Sequence, residues 1–302
     1  MIFVKSGEWL ELRVTRKQEG RTVKALLTEQ VGWPASVVKE LLSKEGIVVN
    51  KEAVSGDAVL KSGDRLRCHL FPEEEYGFVP EMLPLDVLYE DDHLLVVNKE
   101  AGRKVHPNEP DETDTLMNAI AFHYQMQGLQ TRVRILHRLD QETSGAILFP
   151  KHALAQKLLD AMLAAREISR EYWAVVEGRV KQRHGLIDAP IGRDRYHATR
   201  RRVSKTGKAA QTEYWVEERF AKATLVRCKL HTGRTHQIRV HLADLGHPLL
   251  GDELYGGSRA LIGRQALHAK FLRFVHPFTG EELEVEATLP GDLESLLEKV
   301  RR

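Results

Sequence analysis

Apolar and polar residues alternate along Trp9-Leu10-Glu11-Leu12-Arg13-Val14, the period of a half-buried strand. The spacing then becomes helical: residues 22–30 carry Val23, Leu26 and Leu27 on one face, and residues 35–43 carry Val38, Leu41 and Leu42, with Gly46 as a helix stop. Ile47-Val48-Val49-Asn50-Lys51 and the run from Gly63 to Leu70 read as paired strands. Residues 9–71 are therefore expected to form a small α+β domain. Residues 72–84 hold Pro72, Pro80, Pro84, Gly77 and the acidic run Glu73-Glu74-Glu75 without any period, and read as a linker.

A second domain, 85–302, is expected to follow. Val87 to Glu90 and His93 to Lys99 flank Asp91-Asp92 as a hairpin. Asp114 is expected to cap a helix with Leu116, Ile120 and Tyr124 on one face, ending before Gly128. Residues 131–136 and 146–150 read as two strands enclosing a polar loop, His137 to Gly145. Loops held by rigid strands are where chemistry concentrates. Residues 151–166, with Leu154, Leu158, Leu159, Met162 and Leu163 aligned, give a helix that should pack on the sheet. Strands are expected at 171–178, 211–220, 225–230 and 283–288. A helix with Ile238, Leu242 and Leu245 on one face should end at Gly246, and a short one should follow a cap at Asp292. Strands and helices interleave without a strict βαβ repeat, which implies an α+β fold with a mixed, mainly antiparallel central sheet flanked by helices.

Composition narrows the class. The 302 residues are 42% hydrophobic and 29% charged, and the longest apolar runs fall far short of the ~18 residues of a membrane span. The start runs into Lys5 and Glu8 with no signal-peptide pattern. Cys68 and Cys228 are far apart, ordinary usage for a reducing compartment. A soluble, cytoplasmic, monomeric protein with no membrane partner is expected. Net charge is only +2, but residues 193–208 hold seven basic residues (Arg193, Arg195, Arg200, Arg201, Arg202, Lys205, Lys208) against Asp194. Such a run is either a solvated loop or a surface that tracks a phosphate backbone.

Asp140 is the acid at the centre of the polar loop. A carboxylate that acts as nucleophile or base must be ionised and reach its substrate without a sheath of water, and a nearby arginine secures the ionised form. Arg138, Arg234 and Arg239 are the candidates for that partner. The other reading is that Asp140 closes a turn by accepting from backbone amides. His236 and His241 are five apart with no acid between them, so the chain's 14 histidines suggest no metal site. No glycine pattern cradles a phosphate, so no nucleotide cofactor is expected, and Ser144 lacks the Gly-x-Ser-x-Gly elbow of a hydrolase.

Four motifs, taken together, resemble the RluA/RluD-type pseudouridine synthases. They are His-Arg-Leu-Asp-x-x-Thr-Ser-Gly at 137–145, Glu171 to Gly178, Gly207-Lys208-Ala209-Ala210-Gln211-Thr212, and Gly233-Arg234-Thr235-His236-Gln237-Ile238-Arg239-Val240-His241 followed by Leu245-Gly246-His247-Pro248 and Gly251-Asp252. The resemblance spans residues 85 to 290 or so. Residues 9–71 are similar to the S-four-type RNA-binding module named after a ribosomal protein, with Lys39 and Lys44 where members carry several arginines. The resemblance implies an enzyme that isomerises uridine in RNA without cofactor or metal, in large-subunit ribosomal RNA or alternatively in transfer RNA. It implies Asp140 as the catalytic aspartate, Tyr172 stacked on the target base, Arg239 paired with the carboxylate, and Ile238 lining the base pocket. Arg138 would enter the RNA stack where the uridine is extruded. His137 and Arg234 would meet substrate beside these residues, and Arg200, Arg201 and Arg202 would contact the RNA backbone.

Overall fold

The computed structural model describes residues 3–109 and 112–302. The first unit is a five-stranded antiparallel sheet in the order β1 (Phe3–Ser6), β2 (Trp9–Arg13), β5 (Arg65–His69), β3 (Ile47–Val49), β4 (Glu52–Ala53). Two helical segments cover it. One is α1 (Val23–Ala25), capped by Thr22 and running on into a π-helical turn, Leu26–Gln30; the other is α2 (Ala35–Ser43). Leu10, Leu12, Val23, Leu26, Leu27, Val38, Ile47, Leu66 and Cys68 fill the space between. Gly46 ends α2 by donating to Leu41 O at 2.8 Å, but Glu45, with φ 53°, takes the left-handed position instead. Strand β1 had no counterpart in the sequence reading.

Residues 72–84 have no regular structure, yet they lie against the second unit. Glu74 N donates to Gln130 O and Val133 N to Tyr76 O, both at 3.0 Å, and Tyr76 and Phe78 pack on its core. This contact explains a correction. Residues 131–136, expected as a strand, join no sheet: Val133 N donates to Tyr76 O, the Arg132 carbonyl accepts from the Arg134 side chain, and Thr131 Oγ1 donates to Lys151 O.

The second unit is built on a nine-stranded sheet in the order β10 (His184–Asp188), β13 (Gln211–Arg219), β14 (Ala223–Leu230), β9 (Ser169–Glu177), β15 (Leu267–Val275), β8 (Ser144–Pro150), β7 (Leu94–Lys99), β6 (Asp86–Glu90), with β16 (Glu282–Glu286) also on β15. Among the described residues only β8 and β15 pair in parallel. The mixed, mainly antiparallel sheet is the expected one. Its central strand β15 was not foreseen, since His268 and Lys270 sit buried within it and break the apolar pattern. The β6–β7 hairpin turns as read, with Asp91 Oδ1 accepting from His93 N and Leu94 N at 2.7 Å.

Helices α3 (Leu116–Met126), α4 (Ala153–Ala164), α5 (Gln237–Asp244) and α6 (Gly291–Arg301) flank the sheet. The cap of α3 is Thr115, in a capping box with Asn118, and Asp114 lies outside it. The N-cap of α6 is Pro290, which leaves Asp292 inside the first turn and free to bind Arg264. In α5, Ile238 and Leu242 are buried, but Leu245 is 44% exposed because the helix stops before it. Helix α4 packs Ala155 and Leu159 against β8, while Leu154 joins the core of the first unit. The basic run 193–208 is a small hairpin, β11 (Ile191–Arg193) and β12 (Arg201–Val203).

Candidate active site

Asp140 lies in an extended loop, residues 137–143, that leads into β8. Such a loop keeps one shape only if its peptide groups find partners. Buried Lys99 donates from Nζ to Gln141 O (2.7 Å), Glu100 O (2.7 Å) and Arg103 O (2.8 Å). Arg264 Nη1 donates to Glu142 O at 3.0 Å, while both oxygens of Asp292 hold its other edge. Gln265 Nε2 reaches Thr143 Oγ1 at 3.1 Å, and Ser144 Oγ lies 2.9 Å from His268 Nδ1. At Gly145, φ is 114° and a Cβ would stand 2.3 Å from Ala269 O, so glycine is what lets β8 close on β15.

The partner helix α5 is anchored at its start. The Gln237 amide accepts from Arg234 N (2.9 Å) and Thr232 Oγ1 (2.8 Å) and donates to Gln211 O (2.9 Å) and Thr212 Oγ1 (3.0 Å). His236, just before the helix, has φ 58°, a left-handed conformation uncommon outside glycine.

These two elements meet at a chain of charges. Arg239 donates through Nε (2.7 Å) and Nη2 (2.8 Å) to Asp252 and through Nη1 to Asp140 Oδ2 at 3.0 Å. Its guanidinium lies 5.0 Å over the Tyr255 ring. Burial opposes the Arg239 charge, but the Asp252 and Asp140 carboxylates outweigh it and raise its pKa. The Tyr255 hydroxyl accepts from Arg201 N (2.9 Å) and lies within hydrogen-bond distance, 2.8 Å, of His236 Nδ1. His236 Nε2 stands 3.9 Å from Asp140 Oδ2, and burial lowers the pKa of His236.

Above this chain opens a cleft of ≈ 860 Å³ whose lining includes Asp140, Tyr172, Ile238 and Arg239. Leu139, Tyr172, Ile238 and Leu267 form its apolar side, and burial raises the Tyr172 pKa so that the phenol stays protonated. Arg138 stands at the rim, Nη1 2.7 Å from His106 Nε2. Arg234 lines the cleft and donates from Nε to Ala209 O at 2.9 Å. His137 turns inward: its Nε2 accepts from Leu148 N at 3.3 Å, and burial, then Arg170, push its pKa down to about 3. The β11–β12 hairpin reaches the site through Tyr255, which Arg201 bonds and over which Arg200 lies at 5.7 Å. Arg202 sits exposed on β12. The structure thus gathers Asp140, Tyr172, Ile238, Arg239, Arg138, His137 and Arg234 around one cleft, with the three arginines of β12 and its approach beside it.

Sequence reasoning missed Asp252, Tyr255, His236 and Lys99 as parts of the site. Asp252 had a signal: it follows Gly251, at whose positive φ of 77° a Cβ would stand 1.9 Å from Arg264 O, a loop held as tightly as the one bearing Asp140.

Comparison with known proteins agrees with this geometry. The family model described as RNA pseudouridylate synthase matches residues 93–244. The chain is 47% identical over 292 residues to the RNA pseudouridine synthase YhcT of Bacillus subtilis, covering 96% of this chain and 97% of that one. It is 41% identical over 270 residues to ribosomal large subunit pseudouridine synthase D of Vibrio cholerae, covering 83% of each. Among solved structures, human RNA pseudouridylate synthase domain containing 1 superposes with a TM-score of 0.60 at 27% identity, over 72% of this chain and 89% of that one. With the motifs, the sheet and the relatives in agreement, the chain belongs to the RNA pseudouridine synthase family.

Proposed function

We propose that the chain isomerises uridine to pseudouridine in large-subunit ribosomal RNA, with Asp140 as the catalytic carboxylate acting on a base flipped into the cleft. The observation that carries this reading is the 3.0 Å pair between Asp140 and an Arg239 that Asp252 already holds in place. The reaction breaks the bond from C1′ of the ribose to N1 of uracil, turns the base, joins C1′ to C5, releases the C5 proton and leaves a proton on N1, so substrate and product are isomers. Whether the carboxylate attacks sugar or base or takes a sugar proton, it needs a fixed direction and little water around it. Arg239 gives the direction, and Tyr172, Ile238 and Leu267 exclude the water.

Tyr172 offers a flat wall for the base. Arg138, exposed at the rim, fits the gap that an extruded nucleotide leaves in its stack. Arg200, Arg201 and Arg202 lie where flanking phosphates would pass. The first unit, two helical segments on a sheet, is read as a docking module for the same RNA. Relatives named for the large ribosomal subunit support the choice of substrate.

Tritium release from uracil C5 in ribosomal RNA tests the assignment. The Asp140→Asn variant should fold and bind RNA but release no tritium; release at the parent rate overturns the role of Asp140. Pseudouridine mapping of total RNA from cells with and without the protein tests the substrate. Loss confined to transfer RNA would overturn the ribosomal part.

A further inference from the structure

Among the described residues six lysines and arginines are buried: Lys99, Lys151, Arg170, Arg239, Arg264 and Lys270. Five have partners. Lys99 binds carbonyls, Lys151 binds Glu90, Arg239 binds Asp252 and Asp140, Arg264 binds Asp292, and Lys270 binds Ala287 O and Glu286. Arg170 has none: it is 8% exposed, its Nε is buried without a hydrogen-bond partner, and no carboxylate of the described residues pairs with it. A buried, uncompensated charge is costly, and such groups elsewhere in proteins are paired or neutralised. Only Nε is enclosed; the Nη groups face the open cleft, where the side chain meets no protein anion among the described residues.

The position of Arg170 says which anion fits there. It lies on β9 two residues before Tyr172, so both side chains leave the same face of the strand, and both line the cleft. Two residues of strand span about 6.6 Å, the scale of one nucleotide. Opposite, the backbone of Gly233 closes on the guanidinium: a Cβ there would stand 3.0 Å from Arg170 Nη1. On the same wall His137 Nδ1 is a second buried donor without a partner. The lining adds Lys104, Arg138, Arg166 and Arg234, against the acids Asp140 and Asp160. Asp140 is taken by Arg239, and Asp160 accepts from Gln156.

We propose that Arg170 receives a phosphate of the RNA backbone adjoining the nucleotide held against Tyr172, and so sets how deeply that nucleotide enters. A guanidinium suits this task, because its planar fork matches two phosphate oxygens. The inference rests on the cleft being the RNA site.

The test is a binding cycle that needs no turnover. The probe is a short single-stranded RNA with one central uridine, made with all phosphates or with one uncharged methylphosphonate linkage at each position in turn. The parent protein should lose roughly tenfold in affinity at one linkage beside the uridine. Arg170→Met should lose a similar factor on the all-phosphate RNA, lower the slope of log affinity against log salt by roughly 0.7, and become insensitive to that linkage. Arg170→Lys should recover the slope, which a purely structural role would not restore. Additive losses at every linkage overturn the proposal. If Arg170→Met does not fold, Gly233→Ala serves instead. It displaces the guanidinium without removing it and should blunt the response at the same linkage; an unchanged response overturns the proposal. Parent protein that binds RNA in this cycle but forms no pseudouridine in ribosomal RNA speaks against the enzymatic reading alone.

Discussion

Arg239 spends two of its donors on Asp252, at 2.7 and 2.8 Å, and keeps the third for Asp140 at 3.0 Å. The arginine is therefore oriented before any substrate arrives. A carboxylate aimed by a prefixed partner loses little freedom on reaction, the advantage that preorganised sites exploit.

The Asp252→Asn variant keeps the size of the side chain but removes its charge and turns one of its two accepting oxygens into an amide that cannot accept. A guanidinium displaced by about 1 Å is expected to cost on the order of 100-fold in kcat, with KM little changed. Tritium release measured against RNA concentration separates the two constants. An unchanged kcat would mean that stacking on Tyr255 is enough to orient Arg239.

Gly145→Ala tests the junction of β8 and β15. The new Cβ would meet Ala269 O at 2.3 Å in a backbone with φ 114°, so the parallel pair must separate and the Asp140 loop must lose its seat. The expected loss is roughly 4 kcal/mol or more, at the upper end for single substitutions. Urea unfolding reads it directly, and a parent-like midpoint would show the junction to be adjustable.

Stability should depend on pH through buried histidines. Burial pushes the pKa values of His93, His137 and His268 down to about 4, 3 and 4. In the unfolded chain each titrates near ~6.5. Between these values the unfolded state binds protons that the folded state does not, so stability is fully present above about pH 6.5 and falls as pH drops toward 4, by up to ~1.4 kcal/mol per pH unit for each group. Calorimetry at stepped pH should find Tm falling from pH 6.5 to 5; a flat Tm over that interval would contradict the burial of these rings.

For the basic hairpin, Arg200→Gln with Arg202→Gln is the cleaner variant, since both side chains are exposed while that of Arg201 is half-buried with Nη1 enclosed. Removing two phosphate contacts should weaken RNA binding and lower the salt slope by up to ~1.5. An unchanged slope measured by fluorescence titration would place the hairpin away from RNA.

The local patterns were legible from the chain alone. The β6–β7 hairpin, helix α4 and the buried face of α5 through Ile238 and Leu242 follow from period and turn chemistry. The motif around Asp140 was legible as a loop that leads into a strand. Strand β15 was not, because its buried His268 and Lys270 look like surface residues until Ser144 and the carbonyl of Ala287 are brought against them. The strand expected at 131–136 failed for the reverse reason: its apolar residues are real, but residues 72–84 lie against it and Tyr76 O takes the N–H of Val133.

The amino-acid sequence by itself determined which residues could carry the chemistry, since acid, arginine and tyrosine are recognisable by type and by motif. Residue type and spacing alone left three candidate arginines for Asp140 and only the family resemblance chose among them; the pair itself, 99 positions apart, exists only where the loop before β8 and the start of α5 converge. Only the tertiary structure decided that Asp252 holds that arginine and that Arg170 is left without a partner among the described residues. Pairing and its absence are properties of three-dimensional neighbours, which no local period encodes.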